Sequence, residues 1–149
     1  MEAAGAILIA ITNVPEACFW VEASNGIYGQ TKNPYDSRRG TGGSSGGEGA
    51  LIGAAATEIC VIYLKALRFQ IGIGSDIGGS IRIPSFMNGI FGLKPTPGVV
   101  PLDGHVPMPK DFQEQMLCIG PMCRYVEDIP LMMEVWGFEA TKSPHDFSS

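Results

Sequence analysis

Two glycine-rich stretches limit what this chain can fold into more than any other feature. "TGGSSGGEG" runs from Thr41 to Gly49, and "GIGSDIGGSIRIPS" runs from Gly72 to Ser85. Each places backbone freedom beside a hydroxyl, because glycine allows close approach to the backbone and φ values that other residues avoid. A flexible linker is the compositional reading of the first stretch. The alanines after Glu48 argue instead for a helix, with Ser44 and Ser45 at its head, where hydroxyls cap and free N–H groups point outward. In "SDIGGSI" the amides of Ile77, Gly78, Gly79 and Ser80 are able to converge on one oxygen, with the Ser80 hydroxyl beside it. A site for acyl transfer needs such a donor set facing a developing oxyanion.

Competing motifs fit less well. "GIGSDIG" has a loose dinucleotide-binding spacing, but that fingerprint opens a helix. Pro84 stands where the helix would run, and no acid follows at a strand end about twenty residues on. There is no Gly-x-x-x-x-Gly-Lys-Ser/Thr loop and no Gly-x-Ser-x-Gly elbow.

At 149 residues the chain fits one domain or a piece of a larger one, and its 45% hydrophobic content is enough for a core. Net charge is −5, and no basic cluster exceeds Arg38-Arg39, so no nucleic-acid partner is expected. Cys18, Cys60, Cys118 and Cys123 form no Cys-x-x-Cys pair, and His105 and His145 add too little for a metal site. Reduced thiols favour an intracellular compartment. The apolar run Ala6 to Ile11 is too short for a membrane span and lacks the basic flank of a signal peptide, so no transmembrane anchor is expected.

"GAILIAIT" (5–12) predicts a short buried strand, and "VPEACFWVEASN" (14–25) a helix with Pro15 at its start. Residues 24–40 read as loop and 50–69 as largely helical. "QIGIG" predicts a strand, 75–85 a turn region, and 89–110 an irregular stretch held by prolines. "LCIGPMCRYVEDIPLMMEVWGFE" (117–139) predicts a short strand and an amphipathic helix whose first turn Pro130 kinks or loosens. The polar tail 140–149 is expected to fray. Strands and helices alternate, so the class is α/β.

The same residues resemble a known family. "GGSSGGEGALIGAAA" followed by "GIGSDIGGSIRIPSFMNGIFGLKPT" is similar to the amidase signature of serine amidases. "ITNVPEACFWVEASNGIYGQTKNPYD" and "CIGPMCRYVEDI" fit its flanks. Within the family the branch of fatty-acid amide hydrolases, the second type above all, is the most similar. The resemblance implies the central part of an amidase-signature fold, a mixed sheet flanked by helices. It also implies hydrolysis of fatty-acid amides to fatty acid and amine through an acyl-enzyme, without a cofactor or metal. It implies a Ser-Ser-Lys triad, with Ser80 as nucleophile and Ser44 as the bridging serine in a cis peptide. Ile77, Gly78, Gly79 and Ser80 match the oxyanion-hole amides. Asp76 and Arg82 match a pair that braces the loop, with Ser45 in the same polar network. Cys18 and Phe19 match positions lining the acyl channel.

The family's lysine lies farther upstream than the 43 residues that precede Ser44. Lys32 sits beside the wrong motif, and Lys94 in "GLKPT" matches a structural lysine of the family. The 149 residues are therefore expected to be a partial amidase-signature domain, inactive towards amides alone. The intact relative is expected to act on a lipid amide and to associate with membranes. Two other functions remain open: a non-catalytic remnant, and an amidase acting on small polar amides. Residues 57–70, "TEICVIYLKALRFQ", interrupt the pattern where connections are usually short. They read either as a surface insertion or as translated intron, since Phe-Gln is encoded by a run such as ends a splice acceptor.

Overall fold

A computed structural model describes residues 2–54 and 71–137. A small hairpin joins β1 (Ser24–Asn25) to β2 (Gly29–Gln30). Helix α1 (Gly46–Ala54) follows, then β3 (Ile71–Asp76), α2 (Arg82–Asn88), β4 (Phe91–Gly92), β5 (Cys118–Cys123) and α3 (Asp128–Val135). The class is α/β, as expected. Residues 57–70 and the tail 140–149 lie outside the described residues.

The main sheet has the order β3-β5-β4, with both ladders antiparallel. β5 is central and almost wholly buried. Pro121 lies within it, although proline cannot donate to a ladder and is usually kept to edges. Its carbonyl accepts the Leu93 amide at 3.0 Å, so its donor-less nitrogen faces the β4 side. That ladder pairs only Phe91 and Gly92, so the ladder with β3 stays intact. Ile52 of α1, Ile81, Ile90 and Met122 of β5 form the buried cluster that joins the helices to the sheet.

Close backbone approach explains one glycine of this sheet. A Cβ on Gly120 would collide with the Leu93 carbonyl oxygen and come within 2.8 Å of Pro95. Gly120→Ala is expected to lose about 1–3 kcal/mol, because backbone cannot swing aside as a side-chain tip can. Urea unfolding of parent and variant measures it, and equal midpoints would contradict the packing.

Several local expectations give way to tertiary context. Residues 6–12 form no strand, and Ile7, Leu8, Ile9 and Ile11 are exposed. An apolar run becomes a buried strand only when a partner supplies hydrogen bonds and cover, and no described strand pairs with it. The helix expected over 14–25 is a single 3-10 turn, Glu16–Cys18. Ala17 and Cys18 have φ of 53° and 59°, which ends any helix there. Within 24–40, Asn25 builds the hairpin: its side-chain oxygen accepts the amides of Ile27 and Tyr28 at 3.0 and 2.8 Å. The loop after β3 does open a helix. Pro84 is the third residue of α2, and Pro130 the third of α3. First-turn N–H groups have no intrahelical acceptor, so neither proline breaks its helix.

Candidate active site

The two glycine-rich stretches meet. The Ser45 amide donates to the Ser80 carbonyl at 3.1 Å, which sets the head of α1 against the loop between β3 and α2. The Gly43–Ser44 peptide is cis. Ser44 and Ser45 are buried, while Ser80 is partly exposed. Ser44 and Ser80 line one cavity of ≈ 240 Å³, together with Cys18, Phe19, Ile77 and Gly78. Burial pushes the Cys18 thiol pKa up, and its hydrogen bond with Ser44 pulls it partly back.

Asp76 holds the loop. Its carboxylate is fully buried at the end of β3. Oδ1 accepts the Gly79 amide at 2.7 Å, and Oδ2 accepts the amides of Ile81 and Arg82 at 3.0 and 3.3 Å. The Arg82 guanidinium adds a two-pronged pair, Nε to Oδ2 and Nη2 to Oδ1, both 3.0 Å. Burial pushes the Asp76 pKa up, but the Arg82 side chain and the three amides outweigh it and hold it well below the carboxylate range. The Gly79 amide is thereby engaged by Asp76. The amides of Ile77, Gly78 and Ser80 have no protein acceptor among the described residues. Three of the four amides expected to face an oxyanion are thus unengaged.

The loop's glycines differ in kind. Gly79 has φ +132°, and a Cβ there would lie 2.6 Å from Ile83 Cδ1. At Gly78 a Cβ would meet nothing within 4 Å. Gly79→Val is therefore expected to lose about 1–3 kcal/mol from strain and overpacking, since a branched side chain resists that φ. Gly78→Ala should stay within about 0.5 kcal/mol of the parent. Urea unfolding of both variants compares them, and equal losses would contradict the loop geometry.

Other parts of the site are not marked by their local sequence. Trp20, His105 and Leu117 also line the cavity. Glu48 of α1 bridges two segments: its carboxylate accepts the Thr12 hydroxyl at 2.8 Å and the Ile73 amide at 3.3 Å. Burial pushes the Glu48 pKa up, and these two bonds only partly offset the rise. Gly47 donates to the Asn13 carbonyl at 3.0 Å, so residues 12–14 dock on the start of α1. The lysines face elsewhere than the serines. Lys32 Nζ donates to the Gln30 side chain at 2.7 Å. Lys94 Nζ donates to the Ile77 carbonyl at 2.6 Å and lies 3.3 Å from Asp76. Lys110 is exposed.

Comparison with known proteins places this geometry in context. The family described as Amidase matches residues 1–147. Human fatty-acid amide hydrolase 2 is 53% identical over 135 residues, covering 91% of this chain and 23% of the human protein. Fatty-acid amide hydrolase 2-A of Danio rerio is 50% identical over 137 residues, covering 92% of this chain and 24% of that protein. A crystal structure of an amidase superposes with TM-score 0.78 at 32% identity, covering 95% of this chain and 29% of that one. The chain thus spans about a quarter of the length of the curated relatives it matches.

Proposed function

The chain belongs to the amidase family, with the amidase signature, and from that premise we propose that it carries the serine-bearing part of an enzyme that hydrolyses fatty-acid amides. The reading rests above all on the Ser45–Ser80 backbone bond, which brings two serine-bearing loops to one cavity beside unengaged amides. Ser80 is the nucleophile and Ser44 the relay. The Ser80 proton passes through Ser44 to a neutral lysine while Oγ bonds the amide carbonyl. The amides of Ile77, Gly78 and Ser80 stabilise the oxyanion. The C–N bond then breaks, the amine leaves with the proton, and water hydrolyses the acyl-serine through the same relay. Asp76 and Arg82 brace the loop, and Ser45 ties it to α1.

The family's base lysine lies farther upstream of the bridging serine than the 43 residues before Ser44, and Lys32 and Lys94 are committed to other acceptors, so the base is assigned to a lysine outside the 149 residues. The 149 residues alone are accordingly expected to turn over no amide. Residues 1–149 form part of one amidase-signature domain, with 57–70 as an atypical segment within it. A lipid acyl chain suits the cavity because Cys18, Phe19, Trp20, Val21 and Leu117 make its wall largely apolar. Membrane association of the intact enzyme accords with such a substrate. No helix among the described residues is long and apolar enough to cross a membrane.

The test uses the protein expressed from its complete transcript. A fluorophosphonate probe should label Ser80, and fluorogenic amides should be hydrolysed faster as the acyl chain lengthens. A preference for the shortest chains would move the substrate to small polar amides. Absence of both labelling and turnover would favour a non-catalytic remnant.

A further inference from the structure

Lys94 is the described cation whose position the proposed chemistry leaves unexplained. Its side chain is mostly buried, at 19% exposure, and it does not line the cavity. Its closest contact is not a carboxylate but the Ile77 carbonyl, 2.6 Å from Nζ, against 3.3 Å for Asp76 Oδ1. The Arg82 guanidinium already matches the Asp76 charge with two bonds of 3.0 Å. Charge pairing therefore does not account for where the ammonium sits.

The carbonyl it holds belongs to the peptide joining Ile77 to Gly78. That peptide is not among the cis bonds, so its carbonyl and the Gly78 N–H point in opposite directions. Fixing the oxygen towards Lys94 turns the N–H the other way, and Gly78 lines the cavity with Ser44 and Ser80. The Gly78 amide has no protein acceptor among the described residues. Among the described residues the Lys94 bond is the hydrogen bond that this peptide makes, and a Cβ on Gly78 would meet only open space. The mount of the lysine is firm by contrast. Leu93 donates to Pro121 of β5 at 3.0 Å, and the Leu93 carbonyl lies against Gly120.

We propose that Lys94 is a positioning residue for amide hydrolysis: by holding the Ile77 carbonyl on the protein side, it aims the Gly78 N–H at the oxyanion beside Ser80. The proposal rests on the amidase reading above and adds a part to it. A charge-assisted bond to a carbonyl is stronger than a neutral one, and a donor fixed before reaction needs no reorganisation when charge develops. Lys94 touches neither substrate nor nucleophile. It acts through the peptide it orients.

The test compares Lys94→Met and Lys94→Arg in the protein expressed from its complete transcript. Methionine keeps the stem and loses the donors, and arginine keeps charge and donors. Lys94→Met is expected to lower kcat about ten- to a hundredfold with KM nearly unchanged, somewhat less than outright loss of an oxyanion donor. Lys94→Arg should recover most of that loss. Unchanged kcat in Lys94→Met overturns the proposal, as does a loss that Lys94→Arg fails to recover. Crystal structures of parent and Lys94→Met supply a second readout that needs no turnover. The 77–78 peptide should rotate or become mixed in the variant. A plane that keeps its orientation overturns the proposal. A parent that hydrolyses no amide defeats the functional reading, and the peptide plane still decides what Lys94 does.

Discussion

Ser80→Ala, made in the protein expressed from its complete transcript, is expected to abolish amide hydrolysis, with kcat falling roughly 10⁶-fold, the loss that removal of the nucleophile causes in a serine hydrolase. The size follows from the role. Without Oγ no acyl-enzyme forms, and the amides of the loop then stabilise only the rare direct attack of water. Ser44 should behave differently. In the proposed role it relays a proton and forms no bond to substrate, so water in the space left by Ser44→Ala is able to carry the proton in part. A loss of roughly 10²–10⁴-fold is expected, the range that general acid–base steps contribute. Initial rates on a fluorogenic fatty amide, with fluorophosphonate labelling as a second readout, separate the two. Wild-type rates in either variant would sink the assignment of these serines. The reverse ranking, with Ser44→Ala the more damaging, would exchange their roles.

The second large effect concerns Asp76. It accepts three backbone amides and faces two cations, all within 3.3 Å, from a position with no solvent exposure. Asp76→Ala removes the acceptor and leaves the amides of Gly79, Ile81 and Arg82 unsatisfied, while the half-exposed Arg82 guanidinium turns to solvent and Lys94 keeps the Ile77 carbonyl. Each buried amide left without an acceptor costs about 1–3 kcal/mol, so the three together cost at least about 3 kcal/mol, a large part of a typical domain's stability. Asp76→Asn keeps one acceptor oxygen and is expected to lose about half as much, near the 1.5–3 kcal/mol of a charged hydrogen bond. The carboxylate also makes a pH prediction. Its pKa is lowered on folding, so the unfolded chain binds the proton more readily. The stability it contributes is complete above the unfolded value of about 3.9 and is lost as pH falls below that towards the folded pKa. Glu48 shifts the opposite way, because its pKa is raised. The comparison must therefore be parent against Asp76→Asn. Urea unfolding near pH 6 and near pH 3 should show the gap between them closing at the lower pH. A gap of the same size at both would mean that the charge of Asp76 carries none of the effect.

What was legible in the sequence is local. Asp76, Gly79, Ile81 and Arg82 lie within seven residues, and the bonds that shape their loop run between groups three to six positions apart. Such a loop is encoded by its own residues: the glycines and Ser80 are readable from the residues themselves, and the Asp76–Arg82 brace came through the family resemblance. The same holds for Ser44 and Ser45 before α1, because a glycine-rich head followed by alanines defines where the helix begins. Periodicity was a poorer guide where burial depends on a partner. Ile7 to Ile11 have the composition of a core strand and are exposed, while Ala17 and Cys18 leave the helical region despite helix-compatible neighbours.

The remainder of the site was decided by register. Pairing Gly74 with Gly120 and Gly72 with Met122 sets β3 against β5, and β5 in turn fixes Leu93 through Pro121. Only then does Lys94, seventeen residues from Ile77, reach its carbonyl. Glu48 meets the Ile73 amide in the same way, across twenty-five residues. The sequence by itself determined the loop and its hydroxyls, because short-range hydrogen bonds need only neighbouring groups. Tertiary structure alone decided that Lys94 also reaches that loop and that Trp20, His105 and Leu117 join Cys18 and Phe19 in the cavity wall. Those contacts close long stretches of chain, and their entropic cost is met by burial of the whole sheet rather than by any local motif.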